Sequence, residues 1–378
     1  MPSASGQATE AQAVLRSARR VLVVRTDDLG DNVLGSSFPT LLAAALPGEC
    51  GFVGPPAAIE LIPTAHLEFV QAVDCRPNGY LDVVRAGQSL GAAIRKFHPD
   101  VVVLPRFDFE REALGIASAL ALPRRTITWA KDATTKRRRR SWWLSALPGP
   151  RLPASGAPLH EWDRLKAFGE FLGLDATQLK PSLAPDVLNS PVPVPKLDAT
   201  SLTVALGIGA AQGKRLWPPE RFAALAQQLE RSGFLPVLLG SDAEVERASA
   251  VLAAMPRGAT VVDLVGKLTL RSTAALLSRV QLFVGNDSGL GHIAAAAGSP
   301  TVTISCHPLG APATHINSPE RYHPVSNRSA VVRPLRAATP GCTGGCTSRD
   351  TPCCVATIPV EAVIDACLTL EAAGGGGQ

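Results

Sequence analysis

Residues 280–298, VQLFVGNDSGLGHIAAAAG, set a short apolar run, a tight polar turn and an Ala-rich helical stretch end to end. That order is a strand–turn–helix unit with small residues at the turn. The first amides of such a helix have no intrahelical partners, and the helix dipole places partial positive charge beside them. A phosphate fits there. Asp287 and Ser288 stand where side chains can cap the helix or grip a sugar hydroxyl, since Asp and Ser are also preferred N-caps.

The same alternation of apolar runs and helical patterns recurs along the chain, which predicts parallel α/β layers. In the first half VLVVR (21–25), VVVLP (101–105) and RTITW (125–129) read as strands, with helices over about 32–46 and near 110–121. LHEWDRLKAFGEFLGL (159–174) has helical period, with Trp162, Leu165, Phe168 and Leu172 on one core-facing stripe. PSLAPDVLNSPVPVPKLDAT (181–200) carries five prolines and no period, the composition of a linker. The rhythm then restarts. Strands are predicted at 201–208, 234–240, 260–265, 280–285 and 300–305, a helix at 218–231, and a last helix at 359–371. The expected organisation is a disordered leader (1–20), a first α/β domain (21–185), a linker (186–200), a second α/β domain (201–358) and a terminal helix with a Gly-rich tail (359–378).

DSGLGH, with Lys267 in the upstream DLVGKLTL, resembles the sugar-nucleotide signature of glycosyltransferase family 9, the ADP-heptose:lipopolysaccharide heptosyltransferases. Three further blocks resemble that family in the same order: VLVVRTDDLGDNVLGSSFPTLLAAAL (21–46), ALGIGAAQGKRLWPPERFAALAQQLERSGFLPVLLGSDAEVE (205–246) and CTGGCTSRDTPCCVATIPVEAVIDA (342–366). The resemblance implies the GT-B fold, two Rossmann-like domains facing a central cleft, in which a terminal helix often crosses back to the first domain. It also implies an inverting, metal-independent transfer of heptose from ADP-heptose to a lipopolysaccharide core or related saccharide. Two other readings stay open. One is a GT-B enzyme using another nucleotide sugar on a protein or natural-product acceptor. The other is a sugar-nucleotide-binding protein without catalysis. An NAD enzyme is disfavoured, because no G-x-G-x-x-G follows the first strand.

Such a transfer needs a stabilised leaving diphosphate, a base for the acceptor hydroxyl and a held donor. GIGAAQGKR (207–215) is a small-residue turn ending in two cations. In the family a Lys usually stands two residues before Trp-Pro. Here Arg215 holds that offset and Lys214 is one residue further, so either can serve. Glu244 matches a family position near the donor ribose or adenine, with Asp242 and Glu246 as close competitors. Asp287, Ser288, Gly289 and His292 complete the expected donor site. Asp31, of Gly30-Asp31, corresponds to the family's proposed base, and it also stands where a helix cap is expected. Gly30 is expected to permit a sharp turn that aims the Asp31 carboxylate into the cleft. Arg25 is expected near the acceptor, keeping Asp31 ionised.

The run KRRRR (136–140), followed by Ser141-Trp142-Trp143, is either a solvated loop or a basic, aromatic surface for phosphorylated saccharide or anionic lipid headgroups, with Arg137 and Arg138 as acceptor contacts. Net charge is +5, which suits an anionic substrate and is too small to argue for nucleic acid. No apolar run is long enough to span a membrane, and the first residues lack a signal-peptide core. A cytoplasmic protein is expected, with the inner face of the membrane open to it as a place of peripheral contact. Cys342, Cys346, Cys353 and Cys354 have the spacing C-x3-C-x6-C-C, which matches no firm zinc pattern. No cofactor is expected. Reduced thiols in a loop, or a structural zinc or iron there, are the two readings; the family's members that modify autotransporters bind iron near this end.

Overall fold

The computed structural model describes residues 3–75, 80–107, 125–130, 147–154, 156–193, 202–338 and 354–374. The chain divides into two units, residues 1–182 and 183–378. Each is built on a parallel six-stranded sheet.

In the first unit the strands are β1 (Arg20–Val24), β2 (Glu49–Gly54), β3 (Phe69–Ala72), β4 (Val101–Leu104), β5 (Arg125–Trp129) and β6 (Arg151–Leu152). They lie in the order β3-β2-β1-β4-β5-β6. Both faces of the central strands are covered, so β1 and β4 read as unbroken apolar runs. The Tyr80–Phe97 helix covers one face, placing Ala86, Leu90, Ala93, Ile94 and Phe97 on Leu22, Val24, Val53, Val102 and Leu104. The aromatic cluster Phe38, Trp129, Phe168 and Phe171 packs elsewhere in the unit.

Three expectations in this half are corrected. Residues 4–17 are no disordered leader: Ala4–Ser17 is a helix with Ala11, Val14 and Leu15 buried. Those three positions form one helical stripe in an otherwise polar segment. Gln7 Oε1 accepts from the Arg151 N–H at 2.7 Å, tying this helix to β6. The helix expected over 32–46 is two helices, Leu29–Leu34 and Phe38–Ala45. Pro39 explains the break, because proline is tolerated in a helix's first turn and not in its interior. Gly30 lies inside the first of them and does not form a turn ahead of it. The helix expected near 110–121 falls outside the described residues.

In the second unit the strands are β7 (Thr203–Gly207), β8 (Leu235–Leu239), β9 (Val262–Asp263), β10 (Leu282–Asn286), β11 (Thr301–Ile304) and β12 (Ser329–Val332), ordered β12-β11-β10-β7-β8-β9. The core gathers Val204, Leu206, Trp217, Phe222, Leu238, Val284 and Ile304. The Val360–Gly374 helix packs on β11, β12 and the Pro219–Arg231 helix, with Val360, Val363, Cys367 and Leu370 in that core. Its described apolar stripe is thus spent within the second unit. The segment 186–193, expected in the linker, belongs to this unit too. Val187 of the short Pro185–Leu188 helix is fully buried, and Asp186 pairs with Arg271 at 2.6 Å.

Candidate functional site

In both sheets the chain starts at a central strand, builds outward on one side, then returns to build the other. The reversal lies between β1 and β4 in the first unit and between β7 and β10 in the second. Ligands of open α/β sheets bind beyond the carboxyl ends of the strands at such a point. Asp31 follows β1, Lys214 and Arg215 follow β7, and Asp287, Ser288, Gly289 and His292 follow β10.

In the second unit, β7 runs out into the 208–217 loop, which ends in a single 3-10 turn over Gly213–Arg215. Asn286, the last residue of β10 and fully buried, holds this loop from beneath. Its Oδ1 accepts from the Trp217 N–H at 2.9 Å, and its Nδ2 donates to the Ile208 carbonyl at 2.8 Å. Arg247 grips the same loop through the carbonyls of Ile208 and Trp217. Trp217 Nε1 donates to the Ile358 carbonyl at 3.0 Å.

On that support Lys214 is buried, and Arg215 lies 3.5 Å from the Asp287 carboxylate. Asp287 and Ser288 follow β10, and Ser288 is the N-cap of the Gly289–Ala296 helix. The Ser288 hydroxyl does not cap it. Its Oγ is buried and has no hydrogen-bond partner among the described residues, and the same holds for His292 Nδ1. His292 lies on the helix's buried side, where burial pushes its pKa down to about 4 against the opposing pull of Asp287. It is a neutral imidazole at pH 7. Glu244 closes a capping box, its Oε2 taking the Ser241 N–H at 2.7 Å and the Ser241 hydroxyl at 2.6 Å. A Cβ at Gly209 would sit 2.7 Å from the Glu244 carboxyl carbon, so glycine is what lets this carboxylate lie against the loop. Lys267 pairs with Asp263 at 2.8 Å.

A third segment enters that sequence reading did not single out. The loop after β11 brings Asn317, whose Oδ1 accepts from Arg215 Nη2 at 2.8 Å. His307 and His315 stack in this loop with ring centroids 5.2 Å apart. Burial first, then the positive charges of its neighbours, Lys214 and Arg215 among them, lowers the His315 pKa. Asn286 lies one residue before the DSGLGH signature, and no motif marks Asn317, since its position depends on a loop with no regular period.

In the first unit, Asp27, Asp28 and Asp31 stand in three different environments. Asp27 is 1% exposed, its carboxylate gripped by Arg25 at 2.9 Å and by Arg106. Asp28 is the exposed N-cap of the Leu29–Leu34 helix. Asp31 is half-buried in that helix's first turn and is not its cap. Arg25 is buried rather than presented outward. Its Nη2 donates to the Asp31 carbonyl at 3.0 Å, so one guanidinium links Asp27 to the Asp31 backbone. Asn32 Nδ2 closes the turn by donating to the carbonyls of Asp27 and Asp28. Arg137 and Arg138 lie outside the described residues.

Cys342, Cys346 and Cys353 also lie outside the described residues. Cys354 is buried, and its Sγ accepts from the Ala338 N–H at 3.4 Å. Among the described residues no group of three or more His, Cys, Asp or Glu side chains is placed to hold a metal.

Residues 131–340 match the model of glycosyltransferase family 9 (heptosyltransferase), more than half of the sequence. The chain belongs to glycosyltransferase family 9. Lipopolysaccharide heptosyltransferase 2 of Salmonella typhimurium is 34% identical over 119 residues, a match spanning 31% of this chain and 32% of that relative. The chain therefore aligns over about a third of that curated relative's length. Among solved structures, a family 9 glycosyl transferase from Veillonella parvula superposes with a TM-score of 0.72 at 20% identity, covering 95% of this chain and 99% of the other. The ADP-heptose lps heptosyltransferase II of E. coli gives 0.66 at 20% identity, covering 94% and 100%. At that identity the likeness is one of fold, and the fold of this family 9 chain is GT-B. No helix among the described residues is long and apolar enough to cross a membrane.

Proposed function

We propose that this family 9 protein is an inverting, metal-independent glycosyltransferase that moves heptose from ADP-heptose to a lipopolysaccharide core or related saccharide, working at the inner face of the membrane. The observation that carries the reading is the set of cations and buried polar groups around the 208–217 loop and the Gly289–Ala296 helix. Lys214, Arg215, Ser288 Oγ and His292 Nδ1 come together at the sheet's reversal point, which suits a sugar diphosphate. The names of the curated relatives support the choice of heptose.

In this mechanism Asp31 takes the proton of the acceptor hydroxyl. The oxygen attacks the anomeric carbon from the face opposite the diphosphate, and one displacement inverts that centre. ADP leaves with its new negative charge met by Lys214, Arg215 and the amides opening the Gly289–Ala296 helix. Those groups supply the charge that a metal ion supplies in other transferases. Asp31 is the better base of the three aspartates: Asp27 is already held by two guanidinia and Asp28 is a solvent-facing cap.

The test is a donor panel read by thermal stabilisation, followed by an ADP-release assay with heptose-deficient lipopolysaccharide. ADP-heptose is expected to raise the Tm and to yield ADP only when acceptor is present. Stabilisation by a different nucleotide sugar alone would transfer the reading to that donor. Donor binding without turnover on any saccharide would make the protein a binding module.

A further inference from the structure

We infer that Asn317 is a specificity-determining residue of the donor site, recognising the diphosphate itself through its side-chain N–H group while holding Arg215 in place. The inference rests on the sugar-nucleotide reading above and adds a third chain segment to it, the loop after β11.

Asn317 is 3% exposed and bonded on two of its polar groups. Its backbone N–H donates to His315 Nδ1 at 3.1 Å, and its side-chain carbonyl receives Arg215 Nη2 at 2.8 Å. A guanidinium only donates, so the amide's oxygen must face Arg215 and its Nδ2 must face the other way. That Nδ2 is buried with no partner among the described residues. Arg215 Nε, on the same bonded pair, is also buried and unpartnered. Buried donors are almost always paired in native proteins, so each of these two orphans is a donor suited to a ligand oxygen.

Several features point to an anionic oxygen as that acceptor. Nδ2–H and Nε–H are both donors, and the adjacent Lys214 is a cation. Asp287 offsets part of the Arg215 charge at 3.5 Å. The loop is braced to keep Asn317 there. His307 stacks on His315, Arg333 donates to the His307 carbonyl at 2.9 Å and pairs with Glu320, and Ser318 beside Asn317 is fully buried. A diphosphate presents acceptor oxygens on both phosphorus atoms. A nucleoside monophosphate lacks the second, so Asn317 should separate the two ligand classes.

Affinities for ADP, AMP and inorganic pyrophosphate, measured by calorimetry on the wild-type protein, Asn317→Asp and Asn317→Ala, test this. Asn317→Asp keeps an acceptor for Arg215 and replaces the N–H donor by negative charge. Asn317→Ala removes both without adding charge, and serves if the first variant does not fold. ADP and pyrophosphate are expected to weaken by about tenfold or more, equivalent to ~1.4 kcal/mol, while AMP changes by less than about threefold. Equal weakening of ADP and AMP would reduce Asn317 to a structural support and overturn the inference. Unchanged ADP affinity in both variants would overturn it and leave the sugar-nucleotide reading standing. Asn317-dependent pyrophosphate binding without ADP binding would keep the inference and remove the nucleotide. A wild-type protein that binds none of the three would overturn both.

Discussion

Asn286 Oδ1 accepts the Trp217 backbone N–H at 2.9 Å, so the end of β10 holds the far end of the loop that leaves β7. The two residues are 69 apart in sequence. Asn286 Nδ2 donates to the Ile208 carbonyl at the loop's near end, so one amide staples both ends of the loop that carries Lys214 and Arg215. Asn286→Leu keeps the volume and leaves the Trp217 N–H without its acceptor, at about 1–3 kcal/mol, while the Ile208 carbonyl keeps Arg247. Urea unfolding should show that loss, and ADP should bind more weakly even with Lys214 and Arg215 intact. Unchanged stability would mean that water or a shifted loop replaces the staple.

Asp31→Asn is expected to lower turnover by about 10²–10⁴-fold, the contribution of a positioned base, with ADP affinity unchanged. Asp28→Asn, at the exposed cap, should cost little. Asp27→Asn should act on stability instead, because it leaves the Arg25 and Arg106 charges buried without their carboxylate, at roughly 3–5 kcal/mol. Steady-state kinetics beside thermal unfolding separate the three. Full turnover in Asp31→Asn would remove it as the base.

The paired replacement of Lys214 and Arg215 by Ala should abolish the rise in Tm that ADP produces while the fold is retained. Ligand stabilisation follows the ratio of ligand concentration to Kd, so losing both cations flattens the dependence of Tm on ADP. An undiminished shift in the double variant would place the diphosphate elsewhere.

His292 gives stability a pH dependence of definite sign. Its folded-state pKa is about 4, below the 6.5 of the unfolded chain, chiefly through burial. Between those values the unfolded state binds a proton that the native state refuses, so stability falls as pH drops from about 6.5 to about 4 and is fully present above 6.5. His307 and His315 are shifted the same way and add to the slope. His292→Gln should reduce the loss over this window by up to about 3 kcal/mol. Denaturation midpoints at pH 7.0 and 4.5 would show it, and an unaltered slope in the variant would refute it.

Gly35 stands against the Arg25 guanidinium, and a Cβ there would fall on Arg25 Nη1 and within 2.9 Å of Leu165 Cδ2. Gly35→Ala must push Arg25 away from Asp27 and from the Asp31 carbonyl. Overpacking of this kind costs about 1–3 kcal/mol, and turnover should drop with it because Asp31 loses its backbone anchor. A variant as stable and as active as wild type would show that Arg25 moves without consequence.

The sequence alone determined most of the inner strands and the loops that leave them; β2 is equally buried, but glycines cut its apolar run too short to read. β1, β4, β7, β8, β10 and β11 are nearly all buried, and burial on both faces writes itself as an uninterrupted apolar run. The edge strands β3, β6, β9 and β12 are short and half-buried, so they carry neither a run nor a clean alternation, and three of the four escaped a reading that saw β9 as longer than it is. The helix Ala4–Ser17 was hidden for a related reason: three small or aliphatic residues make its buried stripe, and only the neighbouring chain tells that stripe from a polar leader. The motifs likewise singled out Lys214, Arg215, Ser288 and His292 as candidates, because strand–turn–helix units are local in sequence. Contacts across long loops were decided by tertiary structure alone. Asn317 meets Arg215 across 102 residues and Arg106 meets Asp27 from another strand's end, and no local pattern records which side chain a distant loop delivers.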